Sequence, residues 1–451
     1  MKINSDDMFM WRKEYKKLVA LSGMLFLTVA LYAQYAVTGG SEAPLLALDD
    51  TPNRLQIYLV HGMENVTLRY TSASLSHRWY RYKTKAIEAE SVSAVQEGTT
   101  STLASVEEGY GYFVEEPGVL SRYIWIIDYS KYAFDIQSLR VTANDNPSDE
   151  LWLEGTAVKP PLVYYTPNGL QRELERSFEV VYNTLEYSEE SKGFLQKTLT
   201  ESLTGDPFKA PLPPPLCDTE ITLKGDLFAR HFKVEKSMST STYQAVAVVA
   251  RLDTTTLSFA APNMLGKDGG GFSAPVDVHF EAIANEPVSA FYKWTIAHKK
   301  EGSTDTILSF TARSMDYTFR DEGAFTAILE VGDRTGKCRQ TDSVSIEIGE
   351  TQLIVPNAFS PGTSPGVNDE FRVAYKSIVS FKGWIFNRWG AEMFYWTDPA
   401  KGWDGKKGGK YVPPGVYFYV IEAKGSDGKN HSRKGHINII RPKDVQDRII
   451  E

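Results

Sequence analysis

Apolar and polar residues alternate at every second position along much of the chain after residue 33. In the run from Val276 to Ala282, Val276, Val278, Phe280 and Ala282 alternate with Asp277, His279 and Glu281. Phe325, Ala327, Leu329 and Val331 repeat the pattern, as do Val344, Ile346 and Ile348. A period of two sends one set of side chains into a core and the other into water, which is the signature of a half-buried strand. The runs are short and are separated by Gly, Pro, Asn and Asp turns, so they predict β-sandwiches in series.

A loose repeat runs through these strands. Trp79 is followed after 30 residues by Gly109, Trp294 after 29 by Gly323, and Trp384 after 31 by Gly415. Each spacing predicts a buried tryptophan on a central strand, facing a later strand entered through a glycine turn. In the first pair Gly109 and Gly111 compete for that turn. The stretch 169–203 stays open: Leu170, Leu174, Phe178 and Val181 have helical spacing, whereas Phe178, Val180 and Tyr182 have strand spacing.

Polar and glycine-rich segments divide the chain. Asn144 to Glu150 closes a first β domain over 45–150, and 252–271 marks a junction after a second domain over 151–255. A third domain spans 256–350, a last one 351–441, and a tail 442–451. The stretch 209–216 (KAPLPPPL) is stiff polyproline. It reads as an edge crossing inside the second domain in preference to a linker.

Composition supports packed cores. Of 451 residues, 42% are hydrophobic and 24% charged, which excludes a disordered or collagen-like chain. Basic residues number 49 and acidic ones 57, a net charge of −8, so no nucleic-acid partner is expected. Two cysteines, Cys217 and Cys338, exclude a disulfide-dense scaffold and an all-cysteine zinc site.

Residues 18–33 are uncharged and follow Arg12, Lys13, Lys16 and Lys17. Basic residues, a short apolar core and a small residue form the signal-peptide pattern, with cleavage expected between Ala33 and Gln34. The alternative is an uncleaved anchor, but 16 residues fall short of the ~20 needed to span a bilayer. No later stretch is long enough to span a membrane as a helix.

Residues 274–348 resemble a PKD-type domain, an immunoglobulin-like sandwich of exported bacterial proteins. The resemblance rests on Ala274 to Phe280, Tyr292 to Trp294, Tyr317 to Phe319, Asp321 to Ala327 and Val331 to Asp333. The family's acidic-glycine turn after the tryptophan strand is absent; that position reads TIAHKK.

Residues 355–441 carry a more specific set of blocks. VPNAFSP contains Pro356, Asn357 and Phe359, and VNDEF contains Asn368, Asp369 and Phe371. IFNRWG contains Asn387, Arg388, Trp389 and Gly390, and GWDG contains Trp403, Asp404 and Gly405. PGVYFY contains Gly415 and Tyr417, and KGHINIIR contains Gly435 and Arg441. In this order the blocks resemble the gliding motility-associated C-terminal domain, the type B sorting domain of the type IX secretion system. Two features depart from the family: the opening turn 362–366 reads GTSPG, and the tail runs past Arg441. Asn357 and Asn368 with Asp369 suit Asx turns between strands. Trp384, Phe386 and Trp389 are expected to face a core, and Arg388 to pair with an acidic neighbour. The resemblance implies carriage across the inner membrane, then recognition at an outer-membrane translocon and release to the cell surface or medium.

The expected fold class is therefore all-β: tandem immunoglobulin-like β-sandwich domains ending in a small C-terminal β-sandwich sorting domain, preceded by a helical signal peptide. Catalytic motifs are absent from the sequence, including HExxH, GxSxG and the phosphate loop. His61, His77, His231, His279, His298, His431 and His436 are scattered. Glu88 and Glu90 share a face of a possible strand, but such pairs are common. Asp145, Asp149 and Glu150 offer oxygens for calcium, against the plainer reading of a solvated linker; no other cofactor is expected. The run 78–85 (RWYRYKTK) mixes bases and aromatics that can stack on sugars, although its period fits a sandwich strand. Cys217 and Cys338 form a candidate disulfide between the second and third domains, against two separately buried thiols.

The leading reading is a non-catalytic surface protein acting in adhesion or envelope architecture, with a surface protein or carbohydrate as ligand. Its alternatives are a secreted hydrolase housed in 45–255 and an accessory subunit of the secretion or gliding machinery.

Overall fold

The computed structural model describes residues 34–142, 147–258, 260–266, 271–300, 303–363 and 366–441. The signal run with Ala33, Asp145 and the tail lie outside the described residues. From Gln34 onward the described chain is built almost wholly from strands.

The first unit packs two sheets face to face. One orders Gln34–Thr38, Thr67–Thr71, Thr100–Leu103 and Val95–Glu97. The other runs Leu45–Asp50, Leu55–Val60, Tyr123–Asp128, Gly111–Glu116, Arg78–Tyr82 and Glu90–Val92. Leu68, Tyr70, Trp79, Val114, Ile124 and Ile126 fill the space between them. Leu55–Val60 and Tyr123–Asp128 pair in parallel at the centre. The second of these is buried along nearly its whole length, as parallel strands covered on both faces are. The cover on the outer face comes from far along the chain. Leu162, Tyr164 and Leu174, around the Val163–Tyr165 and Gln171–Glu173 hairpin, close over Ile57, Tyr82 and Trp125. Ala229 and Phe232, on and just after the Leu227–His231 helix, complete that layer.

The second unit is built on the long hairpin Ser177–Ser188 and Gly193–Thr204, extended by Thr222–Lys224 and Ser237–Ser239. Phe178, Val180 and Tyr182 are buried, so strand spacing prevails over helical spacing in this stretch. The expected boundary at 150/151 is corrected. Asp135–Thr142 pairs with Trp152–Val158, and Ile136 joins Leu153 in one core. The polar segment thus joins two paired strands of one unit; it resembles a linker in composition because both kinds of connection are solvated. The polyproline stretch does cross an edge: Leu212 exchanges backbone bonds of 2.8 and 2.9 Å with Leu151, and the Tyr182 hydroxyl donates to the Pro213 carbonyl.

The third unit sets Ala250–Thr256, Val276–Ala284 and Ser314–Phe319 against a sheet of Ser303–Phe310, Ser289–Lys300, Gly323–Asp333 and Arg339–Ile348. It thus begins before the expected boundary at 256, because Ala250–Thr256 pairs residue for residue with Val276–Ala284. Trp294 is at its centre. Its strand pairs with the one opening at Gly323, where φ is +127° and a Cβ would meet the His298 ring at 2.5 Å.

All three repeat spacings mark the same pairing. Arg78–Tyr82 pairs with Gly111–Glu116, and Ile378–Phe386 with Gly415–Gly425. In the first, Gly109 makes the left-handed turn and Gly111 opens the strand.

The last unit orders Ala358–Phe359, Asn430–Ile439, Gly415–Gly425, Ile378–Phe386 and Glu392–Trp396. It is not hung on a free linker. Between Ala250–Thr256 and Val276–Ala284, residues 260–266 leave the third sandwich and line the Ala374–Lys376 edge of the last. The Leu265 amide donates to the Tyr375 carbonyl at 2.7 Å, and Asn263 Nδ2 donates to the carbonyls of Val373 and Pro399 at 2.7 and 2.8 Å. Buried Ser377 receives the Ala274 amide on its Oγ and donates its own amide to Ser273 Oγ at 2.8 Å.

Candidate functional site

The sorting-motif residues divide by what they do for the last unit. Phe359, Phe371, Trp403 and Tyr417 build its core, with the Trp403 ring 5.7 Å from Phe359 and 5.5 Å from Tyr417. Phe371 and Trp403 exchange backbone bonds of 2.8 and 3.1 Å across the unit, and the Tyr417 hydroxyl donates to the Pro413 carbonyl. Burial pushes that phenol's pKa up.

Others shape turns. The Asn357 carbonyl, just after half-buried Pro356, accepts from the Asn438 backbone at 2.9 Å and ties the start of the unit to its final strand. Asn368 is left-handed at φ +54°, and the Asp369 carboxylate accepts from both the Gly362 and Gly366 amides. Asp404 accepts from the Lys406 amide at 3.0 Å. Gly405 is left-handed and abuts Pro361. Gly435 leaves room for the Tyr419 hydroxyl, 2.6 Å from where its Cβ would lie. Gly415 adopts φ +140° at the strand start, and Arg441 lies 4.5 Å over the Tyr411 ring.

The IFNRWG block departs from expectation. The residues of its strand that face the core are Phe381, Gly383 and Ile385. The Trp396 ring occupies the space a Cβ on Gly383 would need. Trp384 and Phe386 face outward. Trp389 is 75% exposed at the tip of a tight turn. Asn387 holds that turn, its Oδ1 accepting from the Trp389 and Ala391 amides at 3.0 and 2.9 Å, with Gly390 left-handed beside it. Arg388 lies 4.2 Å over the Trp389 ring in place of an acidic partner.

Two rows of side chains therefore cross the outward face of this sheet. Register places Tyr395, Trp384, Val420 and Lys434 in one, and Glu392, Phe386, Phe418 and His436 in the next. The Trp384 and Tyr395 rings meet at 5.4 Å. An antiparallel sheet with one face on a core normally presents polar residues on the other. The sequence signal for this exception is the run VYFYVI at 416–421, apolar at both alternate sets although only one is buried. A second overlooked signal is charge. Residues 353–441 hold 13 of the 49 basic and 7 of the 57 acidic residues, so this segment carries +6 and the remaining chain −14.

The other candidates are not brought together. Glu88 lies in a short helical turn beside Lys85, and Glu90 pairs with Arg81 at 2.7 Å, so the two carboxylates share no face. Glu150 accepts from the Trp152 indole, and Asp149 is exposed. Among the described residues, no group of three His, Cys, Asp or Glu side chains is placed to hold a metal ion. In the 78–85 run, Trp79 and Tyr82 are buried on opposite faces of their sheet, leaving no stacking row there. Gln34 opens the first strand. Cys217 and Cys338 are both free thiols, which corrects the expected staple. Cys338 is packed into the third core, whereas Cys217 is half-buried, its thiol pKa pushed up by burial and by Asp218. That joint is held instead by buried Asn285, whose Nδ2 donates to Leu216 and Ala247 carbonyls at 2.9 and 2.8 Å.

Residues 353–439 match the family model of the CHU_C Type IX secretion signal domain, and residues 140–240 that of a fibronectin type III domain. The chain thus carries a type IX secretion signal domain and, before it, an immunoglobulin-like fibronectin domain. The latter's span agrees with the second core, which begins at Phe134. No curated protein matches the chain. Among solved structures, it is similar to the tetra-tandem repeat in the extending region of a large adhesion protein, at 12% identity over 86% of this chain and 99% of that one, with a TM-score of 0.18. It is also similar to three N-terminal domains of the Highly Immunogenic Outer Capsid protein of bacteriophage RB49, at 10% identity, 69% and 100% coverage and a TM-score of 0.21. A third is a Ca2+-stabilized adhesin that helps an Antarctic bacterium reach out and bind ice, at 10% identity, 90% and 100% coverage and a TM-score of 0.19. Among the described residues, no helix is long and apolar enough to cross a membrane.

Proposed function

We propose that this is an exported, non-catalytic protein of the cell surface, in which three β-sandwich units act in adhesion or envelope architecture and residues 353–441 are the delivery address. The chain is carried to the periplasm with cleavage between Ala33 and Gln34. It is then recognised at the outer-membrane translocon of a type IX system. The third unit acts as a PKD-like spacer. One observation carries this reading: the secretion-signal match falls on a unit in which the motif aromatics Phe359, Phe371 and Tyr417 meet in a single core around Trp403. The preceding units support it with cores filled by Trp79, Phe178 and Trp294, the packing of a structural or binding module. The test is deletion of residues 353–451 in a cell carrying the machinery. The truncated chain should accumulate in the periplasm with its first two units still folded; surface display at normal level would reject the address.

A further inference from the structure

We propose that the outward face of the last sheet, centred on Trp384 and Phe418, is where an acidic protein of the secretion machinery docks, an inference that rests on the reading of residues 353–441 as an address. Contiguous exposed apolar surface on a soluble unit marks an interaction site. Here Phe418 and Tyr395 are 46% and 45% exposed on the face that should be polar. They are neighbours through Trp384 and Phe386 in the strand register. The contacts to the third unit run through Asn263, Ser273 and Ser377 and leave these rings uncovered. At the end of the strand, the Arg388–Trp389 stack stands free on a turn fixed by Asn387. Tryptophan, tyrosine and arginine are the residues that dominate protein-binding hot spots.

Charge names the partner's chemistry. The segment carries +6, while the rest of the chain carries −14. On the face itself, Lys434 ends one aromatic row, while Glu392 stands at the far end of the other. An exposed apolar face on a unit of net positive charge favours an acidic partner, raises its encounter rate and disfavours the chain's own acidic units. A protein fits better than a glycan because aliphatic Val420 stands beside Trp384 in its row and exposed Val416 follows Phe418 along the same strand. A sugar-binding face would need hydrogen-bonding groups at those positions.

The test uses the full-length chain in cells with a type IX system. Phe418→Glu combined with Lys434→Glu changes two exposed side chains, and calorimetry on the purified chain checks that the last unit still melts as in the wild type. The surface-displayed fraction should fall at least tenfold, with the protein held in the periplasm. Trp389→Ser is the second variant, since its side chain touches little of the core, and it should lower display several-fold. A folded double variant displayed within twofold of wild type, while the 353–451 deletion is trapped, overturns the docking face and leaves the address intact. Normal display of the deletion overturns both. Normal display of the double variant with loss of its retention on surface polysaccharide assigns the face to a glycan and overturns the protein partner. If the double variant unfolds, Trp389→Ser decides: normal display of that folded variant overturns the proposal.

Discussion

Replacing Asp226 by alanine should uncouple the first two units. This carboxylate is fully buried between them and meets three donors. Arg176 Nη1 lies at 2.5 Å, the Tyr129 hydroxyl at 2.7 Å, and the Ala229 amide at 2.8 Å, capping the Leu227–His231 helix. Arg176 in turn donates to the Tyr132 and Pro160 carbonyls and lies 5.7 Å over the Tyr129 ring. Tyr129 and Tyr132 belong to the first unit; Arg176 and Asp226 follow in the chain of the second. Removing the carboxylate leaves a guanidinium buried without its counter-charge, which costs about 3–5 kcal/mol. The lost cap, worth about 1 kcal/mol alone, is part of the same group and does not add in full. A total near 4 kcal/mol is a large share of a domain's usual stability of about 5–15 kcal/mol. For the two units melting together, about 200 residues, it lowers the melting temperature by roughly 8–16 °C. Differential scanning calorimetry of the full chain should show the transition that includes the first unit moving down and splitting from the second. The control is Arg176→Met with Asp226→Leu, which removes both charges and should recover most of the loss. A shift below about 1 kcal/mol for the single variant, or a double variant no better than it, would refute the reasoning.

Three further outcomes are expected. Trp403→Ala should destabilise the last unit by about 3–5 kcal/mol, whereas Trp389→Ala should change it by less than ~0.5 kcal/mol, as measured by that unit's melting transition. Asn263→Ala strands the Val373 and Pro399 carbonyls and should cost about 1–3 kcal/mol, seen as the last unit melting apart from the third; unchanged coupling would count against the 260–266 contact. Alkaline pH should destabilise the first two units. Burial raises the phenol pKa of Tyr35, Tyr82 and Tyr182 above the ordinary value of 10.0, so each contributes stability that is complete below pH 10 and lost as the pH rises further. Melting temperatures measured from pH 8 to 11 should fall mainly above 10, and a flat profile would argue against these burials.

Strand periodicity was legible without any structure, because alternation is a property of the extended backbone itself. Val276 to Ala282 and Phe325 to Val331 bury the residues their spacing selects. The tryptophan-to-glycine spacings identified true strand partners, since each strand and its hydrogen-bonded neighbour in the same sheet are separated by a nearly constant length of chain. The sorting blocks were legible because turns built on Asn368, Asn387 and Gly390 need particular residue types. Which side of a strand is covered depended instead on segments distant in the chain. Trp384 and Ile385 are equally apolar, and only the arrival of Trp396 and Trp403 on one face made Ile385 the core residue. The outer face of the first unit's larger sheet is closed by residues 162–174 and 227–232, distant in the chain, so no local pattern around Tyr82 or Trp125 announced that layer. The polar connection after Thr142 and the 260–266 segment read as junctions, because strand connections, linkers and docked segments share a solvated, turn-forming composition. Burial of one face is a contest among long-range contacts, so local alternation offered only pairs of faces, and tertiary packing chose between them.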